Sequence, residues 1–120
     1  MKTILTVDDS ASVRHLLKFA LGSAGYSVLE AEDAASALTM ARTQSVHMVI
    51  TDLNMPGMDG IDFIRSLRRL PPYRGVPIVM LTTESDQGLK LQAKAAGATG
   101  WITKPFKQDQ LLAVTKKLLG

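Results

Sequence analysis

The sequence predicts an α/β protein built on a single doubly wound, five-stranded parallel sheet with helices on both faces. Short runs of β-forming residues alternate along the chain with segments whose apolar residues recur at helical spacing. Several of the strand-like runs are apolar without interruption, which is typical of parallel strands covered on both faces. Because connections between parallel strands are right-handed, successive helices can cover both faces of such a sheet.

Five strands are predicted, each bounded by polar or turn-forming residues. The third strand is a continuous apolar run except for His47. The fourth begins at Pro77, and proline is tolerated at the start of a strand. In chain order, the predicted strands are Ile4–Val7, Tyr26–Leu29, Val46–Thr51, Pro77–Leu81 and Gly100–Thr103.

Five helices are predicted from apolar residues spaced three and four apart. Gly22 and Gly25 end the first helix, Asp33 caps the second, and Gly97 ends the fourth. The expected inner faces are, in order, Val13, Leu16, Leu17, Ala20 and Leu21; Ala34, Ala37, Leu38 and Ala41; Ile61, Ile64 and Leu67; Leu89, Ala93 and Ala96; Leu111, Leu112, Thr115, Leu118 and Leu119.

Composition narrows the class of protein. With 120 residues, 46% of them hydrophobic, the chain can bury a core, and one domain over residues 1–120 is expected. It contains no Cys, which excludes disulfides and thiolate metal sites and agrees with a reducing compartment. The apolar run at the start is too short for a signal peptide or a membrane span. We therefore expect a cytoplasmic protein without membrane insertion.

The formal net charge of +3 is a feature shared with many nucleic-acid-binding proteins. The basic residues are dispersed, however, and the only local group is Arg65, Arg68, Arg69 and Arg74. Aromatic residues are not interleaved with this group as a stacking platform requires. We therefore expect no nucleic-acid partner.

Polar residues follow the predicted strands at the edge of the sheet where such folds bind ligands. Asp8 and Asp9 follow the first strand, Asp52 the third, and Thr82 and Lys104 the fourth and fifth. Adjacent carboxylates repel by about 4 kcal/mol per pair at an effective dielectric near 20, so the cluster needs raised pKa values or a cation. Oxygen ligands without His or Cys are typical of Mg²⁺. The fold, if correct, therefore predicts a Mg²⁺ site here.

These residues resemble the motifs of response-regulator receiver domains, in particular the single-domain, CheY-like members of that family. The resemblance covers the whole chain and implies a flavodoxin-like fold, a place in a two-component phosphorelay and a cis peptide bond between Lys104 and Pro105. In order and at receiver-like spacing, the matching segments are Asp8-Asp9, Asp52–Gly60, Leu81-Thr82 and Lys104-Pro105-Phe106.

The resemblance implies a role for each matched residue at the site. Asp52 corresponds to the phosphoacceptor, a carboxylate nucleophile that takes a phosphoryl group from a histidine kinase or a small acyl phosphate. Asp9, Asp52 and the main-chain carbonyl of Asn54 correspond to direct ligands of one Mg²⁺ ion, and Asp8 to a ligand that acts mainly through water. Lys104 corresponds to the cation that pairs with phosphoryl oxygens.

Further matched positions imply a conformational switch and a short lifetime of the phosphoryl group. Thr82 corresponds to the hydroxyl that closes onto the phosphoryl group, and Trp101 occupies an aromatic switch position where Tyr is common. Asn54 and Glu84 match positions that favour rapid self-dephosphorylation. Thr83 replaces the usual Ala or Gly and adds bulk that hinders the attacking water. We expect a phosphoryl lifetime of seconds to minutes.

The expected protein is a monomeric phosphoacceptor rather than an enzyme, and it signals through the face formed by the fourth helix, fifth strand and fifth helix. A histidine kinase upstream and a protein such as a flagellar motor switch protein downstream are the expected partners. Two alternatives remain. A Mg²⁺-dependent phosphohydrolase would use Asp52 as nucleophile, although Asn54 stands where haloacid-dehalogenase-type enzymes carry a second Asp. A flavodoxin-like electron carrier would need a phosphate loop in place of Asp8-Asp9-Ser10.

Overall fold

The computed structural model describes residues 1–120 and consists of five strands, five α-helices and one short 3₁₀ helix. The strands are β1 (Thr3–Val7), β2 (Ser27–Ala31), β3 (Met48–Thr51), β4 (Ile78–Thr82) and β5 (Gly100–Thr103). The helices are α1 (Ala11–Ser23), α2 (Ala34–Thr43), α3 (Gly60–Arg68), α4 (Gln87–Ala96) and α5 (Gln108–Leu119), with the 3₁₀ turn at Pro71–Tyr73. None of the helices has the length and apolar content needed to cross a membrane.

The five strands form one parallel sheet in the order β2-β1-β3-β4-β5. From β1 the chain moves to one side to form β2, and then crosses to the other side to form β3. The strand order therefore reverses between β1 and β3, and a crevice opens at their carboxyl ends. This topology confirms the doubly wound sheet that the sequence predicts.

Two apolar cores lie on opposite faces of the sheet, which confirms the prediction of helices on both sides. Residues of α2, α3 and α4 pack on one face, and residues of α1 and α5 pack on the other. Successive side chains of β1 point to opposite faces of the sheet, so Leu5 and Val7 join the first core and Ile4 joins the second.

The strand bounds differ from the predicted ones by one or two residues. β2 begins one residue later and ends two residues later than predicted, β3 begins two residues later, and β4 is shifted by one residue. Pairing between strands causes these shifts, because Val7 pairs with Ala31 and therefore draws β2 past its apolar run. Thr82 pairs with Thr103 and so belongs to β4 itself.

Leu16 was predicted to lie on the inner face of the first helix, and this is wrong. Its side chain is 59% exposed, whereas Leu17, Ala20 and Leu21 are buried. The buried stripe is narrower than predicted, because Leu17, Ala20 and Leu21 share a core with Leu111 of α5, whereas Leu16 packs against neither core. Leu16 consequently lies on an uncovered strip of α1.

Of the local group of arginines, Arg65 and Arg68 make side-chain contacts, whereas Arg69 and Arg74 are exposed. Arg68 donates hydrogen bonds to the main-chain carbonyls of Tyr73 at 2.5 Å, Val76 at 2.6 Å and Gly97 at 2.6 Å. Arg65 pairs with Asp62 at 2.8 Å. Because half-buried Arg68 donates four hydrogen bonds to main-chain carbonyls, it ties α3 to the start of β4 and the end of α4 instead of forming part of a basic surface.

The start of α3 approaches the end of β3 so closely that only glycine fits there. The Gly60 N–H donates to the carbonyl of Leu53 at 2.7 Å. A Cβ atom at Gly60 would lie 2.9 Å from the Cα of Leu53 and would overlap the carbonyl oxygen of Asp52. Gly60 therefore fixes the backbone on which Asp52 stands.

Replacing Gly60 by Ala should lower the free energy of unfolding by about 1–3 kcal/mol, the usual cost of overpacking against an unyielding neighbour. Gly22→Ala is the matched control, since Gly22 also lies in a helix but has no atom within 4 Å of the added Cβ. That variant should be neutral or more stable by up to about 1 kcal/mol. Urea denaturation measures both changes, and equal stability of the two variants would contradict the proposed close contact.

Candidate functional site

Three carboxylates meet where the strand order reverses. Asp8 and Asp9 directly follow β1, and Asp52 directly follows β3. The two strands are neighbours in the sheet, and the Asp52 N–H donates to the carbonyl of Val7 at 2.9 Å. One carboxylate oxygen from each of the three aspartates lies within 4.8 Å of the other two. The structure therefore brings together the acidic cluster that the sequence predicts.

The three carboxylates differ in burial and in hydrogen bonding. Asp8 and Asp52 are buried, with 2% and 8% of their surface exposed, whereas Asp9 is exposed. The N–H of Ser10 donates to Asp8 Oδ1 at 2.9 Å, and the N–H of Leu53 donates to Asp52 Oδ1 at 2.8 Å. The cluster is therefore held rigidly on its inner side and is open to solvent on the side of Asp9.

Lys104 bridges the two buried carboxylates. It follows β5, and its Nζ atom lies 2.8 Å from Asp8 Oδ2 and 3.4 Å from Asp52 Oδ2. When all four groups are ionised, three carboxylates and one ammonium leave two negative charges, which one divalent cation would neutralise. The donor atoms are all oxygens, as Mg²⁺ prefers, so the residues present fit such an ion.

Burial and charge both act on the ionisable groups of the site. Burial raises the pKa of Asp52, and the neighbouring Asp8 adds to this effect, whereas Lys104 opposes it. Burial by itself would lower the pKa of Lys104, but the contacts with Asp8 and Asp52 outweigh it and raise that pKa. Lys104 therefore remains charged at neutral pH, and the ionised form of Asp52 is disfavoured by its surroundings.

The residues assigned to the switch are joined through Glu84. Thr82 is buried, and its hydroxyl accepts a hydrogen bond from the N–H of Glu84 at 3.4 Å. Trp101 is half-buried, and its indole Nε1 donates to the carbonyl of Glu84 at 3.0 Å. The Nζ atom of Lys90 lies 5.9 Å from the centre of the indole ring. The main chain of Glu84 thus connects the positions of Thr82 and Trp101.

The remaining predicted positions lie around the rim of the site. Asn54 is exposed, two residues beyond Asp52, and Thr83 is exposed after β4. The peptide bond between Lys104 and Pro105 is cis. The structure gives Asn54, Thr83 and Thr82 no direct hydrogen bond to the three carboxylates.

Two residues at the site have no role in the sequence-based predictions. Arg14 donates from Nη1 to the carbonyl of Asp8 at 2.6 Å, and its Nε lies 3.5 Å from a carboxylate oxygen of Glu30. Its position four residues after Ser10, which caps α1, was the available signal, because it places Arg14 one turn from the end of β1. Gly60 had a signal too, since glycine is a poor helix former and occupies the first position of α3.

Comparison with known proteins identifies the family. Residues 4–116 match the model of the response regulator receiver domain. The chain belongs to the response regulator receiver family. It is accordingly a receiver domain of the two-component systems, with the CheY-like architecture that its sequence predicts.

Relatives of two kinds resemble this receiver. Chemotaxis protein CheY of Pseudomonas aeruginosa is 34% identical over 116 residues, which cover 96% of this chain and 94% of CheY. Phosphate regulon transcriptional regulatory protein PhoB of the same organism is 38% identical over 118 residues, which cover 98% of this chain but 52% of PhoB. The receiver therefore spans nearly the whole of one relative and about half of the other.

Solved structures agree with this assignment. CheY4 of Vibrio cholerae shares 41% identity with a TM-score of 0.96, and the match covers 99% of both chains. The receiver domain of the sensor histidine kinase PA1611 of P. aeruginosa shares 29% identity with a TM-score of 0.91, over 99% of this chain and 98% of that one. That crystal structure has a magnesium ion coordinated in the active site cleft.

Asp52→Asn should make the metal-free receiver more stable at neutral pH. A raised pKa means that the folded state favours the protonated carboxyl, so the ionised carboxylate of Asp52 lowers stability above the ordinary value of 3.8. The gain should therefore shrink as the pH falls towards 3.8.

Urea denaturation in EDTA at pH 7 and at lower pH measures this difference. Asp109→Asn is the matched control, since it makes the same charge change at an exposed position on α5. A loss of stability at pH 7 in Asp52→Asn would contradict the expected cost of the buried charge.

Proposed function

We propose that this receiver is a single-domain response regulator that accepts a phosphoryl group on Asp52 in a Mg²⁺-dependent reaction. The observation that carries the proposal is the cluster of Asp8, Asp9 and Asp52, two of which are bridged by Lys104. The cytoplasmic location and monomeric state of this receiver remain predictions.

Asp9, Asp52 and the main-chain carbonyl of Asn54 would hold the metal ion, with Asp8 acting through water. The hydrogen bonds of Asp8 support this division, because Ser10 occupies one of its oxygens and Lys104 occupies the other. Asp9 is exposed and has no such partner. When bound, Mg²⁺ would neutralise negative charge on the phosphoryl oxygens during transfer. The magnesium ion in the PA1611 receiver supports the choice of metal.

Asp52 is suited to act as the nucleophile. One of its oxygens is held by the N–H of Leu53, and the other lies on the side of Lys104. In the transfer, an oxygen of the ionised carboxylate forms a bond to phosphorus while the bond from phosphorus to the donor breaks, and the ionised carboxylate has no proton to lose. Lys104 would then pair with a phosphoryl oxygen at little cost in reorganisation.

The signal would pass from the phosphoryl group through Thr82 and Trp101. For Thr82 to turn its hydroxyl towards Asp52, it must give up the 3.4 Å contact with the N–H of Glu84. Glu84 also accepts the indole hydrogen bond, so a shift in its main chain would move Trp101 and the face formed by α4, β5 and α5. A histidine kinase is the proposed donor, and a flagellar motor switch protein is one candidate for the partner that reads this face.

The geometry favours neither of the alternative functions. A phosphohydrolase of the type considered would need a carboxylic acid two residues after Asp52, and the side chain there is the amide of Asn54. An electron carrier would need an anion-binding loop after β1, where Asp8 and Asp9 instead repel phosphate.

Mg²⁺ should stabilise the folded receiver by mass action, by about 2.7 kcal/mol when present at about 100 times its dissociation constant. Asp9→Asn should remove most of this gain, because it takes away an exposed ligand without disturbing the buried hydrogen bonds. Asp109→Asn should respond to Mg²⁺ like the wild type. Thermal unfolding with and without the ion tests this, and an undiminished response in Asp9→Asn would exclude that residue as a ligand.

Acetyl phosphate with Mg²⁺ should add one phosphoryl group to the wild type and none to Asp52→Asn. Intact-mass spectrometry measures the addition, and the fluorescence of Trp101, the only tryptophan, should change in the wild type alone. After the donor is removed, the modified form should decay within seconds to minutes. Equal labelling of the two proteins would refute the proposed function, and a half-life of many hours would refute the predicted lifetime.

A further inference from the structure

Arg14 holds the peptide group that joins Asp8 to Asp9. Its Nη1 atom donates to the carbonyl oxygen of Asp8 at 2.6 Å, and the charge of the guanidinium strengthens this short hydrogen bond. A peptide group is planar, so a hydrogen bond to its carbonyl also restrains the N–H of Asp9 in the same plane. The direction in which the side chain of Asp9 leaves the backbone therefore depends on Arg14.

The carboxylates of Asp8 and Asp9 are restrained to different degrees. The two carboxylate oxygens of Asp8 accept hydrogen bonds from the N–H of Ser10 and from Lys104. The carboxylate of Asp9 is exposed and has no hydrogen-bond donor in the protein. The position of Asp9 is therefore restrained through the main chain, and the peptide group held by Arg14 is the part of the main chain that precedes it.

Glu30 of β2 holds Arg14 in this position. The Nε atom of Arg14 lies 3.5 Å from Glu30 Oε1, and the Nζ atom of Lys18 lies 3.6 Å from Glu30 Oε2. The donors of a guanidinium point in fixed directions within one plane, so Nε can face Glu30 while Nη1 meets the carbonyl of Asp8. Glu30 also offsets part of the positive charge that Arg14 brings close to the cluster.

We propose that Arg14 is a positioning residue that raises the affinity of the carboxylate cluster for Mg²⁺ relative to Ca²⁺. Mg²⁺ demands nearly octahedral ligands at about 2.0–2.1 Å, whereas Ca²⁺ accepts flexible arrangements of oxygens at about 2.3–2.6 Å. Restraint of the peptide between Asp8 and Asp9 limits the positions open to the Asp9 carboxylate, and the smaller ion benefits more from that limit. The inference rests on the proposed function, because it concerns the metal ion of the same site.

The charge of Arg14 by itself would act in the opposite direction. A cation near the cluster repels a divalent ion, so loss of the charge alone would tighten the binding of Mg²⁺. The same change would tighten the binding of Ca²⁺ to a similar extent, because the two ions carry the same charge. The effects of positioning and of charge on metal binding therefore differ both in sign and in selectivity.

Arg14→Gln should weaken Mg²⁺ binding by about tenfold, a loss typical of removing a residue that orients a metal ligand, and should weaken Ca²⁺ binding less. Titration calorimetry with MgCl₂ and with CaCl₂ measures both dissociation constants, and circular dichroism in EDTA verifies the fold. Lys18→Gln is the matched control, because it removes the same charge from Glu30 without a contact to Asp8. That variant should keep the wild-type ratio of the two constants.

Glu30→Gln is a second variant that releases Arg14 without removing it. Its preference for Mg²⁺ over Ca²⁺ should fall in the same direction as in Arg14→Gln, because the guanidinium loses the ion pair that holds it against Asp8. This variant decides the question if Arg14→Gln does not fold.

The outcomes separate this inference from the proposed function. A wild type that binds Mg²⁺ but is not modified by acetyl phosphate would refute the phosphoacceptor role of Asp52, and the ratio of dissociation constants would still decide the role of Arg14. A wild type that binds no Mg²⁺ would refute both proposals. If folded Arg14→Gln binds Mg²⁺ as tightly as the wild type or more tightly, or loses affinity for both ions equally, the positioning role alone is wrong. A lowered ratio in Lys18→Gln would also overturn it, because the charge around Glu30 would then set the selectivity.

Discussion

The contact of Lys104 with two buried carboxylates is the interaction on which the site depends. Parallel pairing of β1 with β3 forces Asp8 and Asp52 to the same edge of the sheet, whatever their repulsion. Lys104, at 2.8 Å from one and 3.4 Å from the other, offsets part of that repulsion. The pKa of Asp52 is raised all the same, because burial of the carboxylate outweighs the attraction of Lys104. A folded chain with an excess of buried negative charge is therefore prepared to bind a cation.

The backbone around this cluster is held in place by residues without chemical roles of their own. Gly60 lets α3 begin directly against the carbonyl of Asp52, and Arg14 holds the carbonyl of Asp8. Each of these contacts fixes the main chain and leaves the carboxylate free to meet a ligand. Rigid support beneath a charged side chain keeps the cost of reorganisation low when charge changes at the site. Favourable contacts elsewhere in the fold thus compensate for the cost in stability of the buried carboxylates at the site.

The sequence predicted the sheet, both helical layers and the membership of the acidic cluster, because these follow from apolar periodicity and from which residues come after each strand. It misplaced Leu16, since periodicity identifies the centre of a buried stripe but not its edges, which depend on the packing of neighbouring elements. It missed Arg14, because the spacing of four residues from the cap Ser10 places Arg14 near the site but does not show that its long side chain reaches the main chain of Asp8. Contacts set by side-chain reach require coordinates.

The strengths of the contacts at Glu84 indicate which parts would move together in the proposed switch. The hydroxyl of Thr82 meets the N–H of Glu84 at 3.4 Å, a long and therefore weak hydrogen bond. The indole of Trp101 meets the carbonyl of the same residue at 3.0 Å, close to the most frequent length. Attraction of Thr82 to a phosphoryl oxygen would break the weaker contact first. Trp101 would then move with the loop that carries Glu84. A rearrangement beside Asp52 would in this way also change the surface at β5.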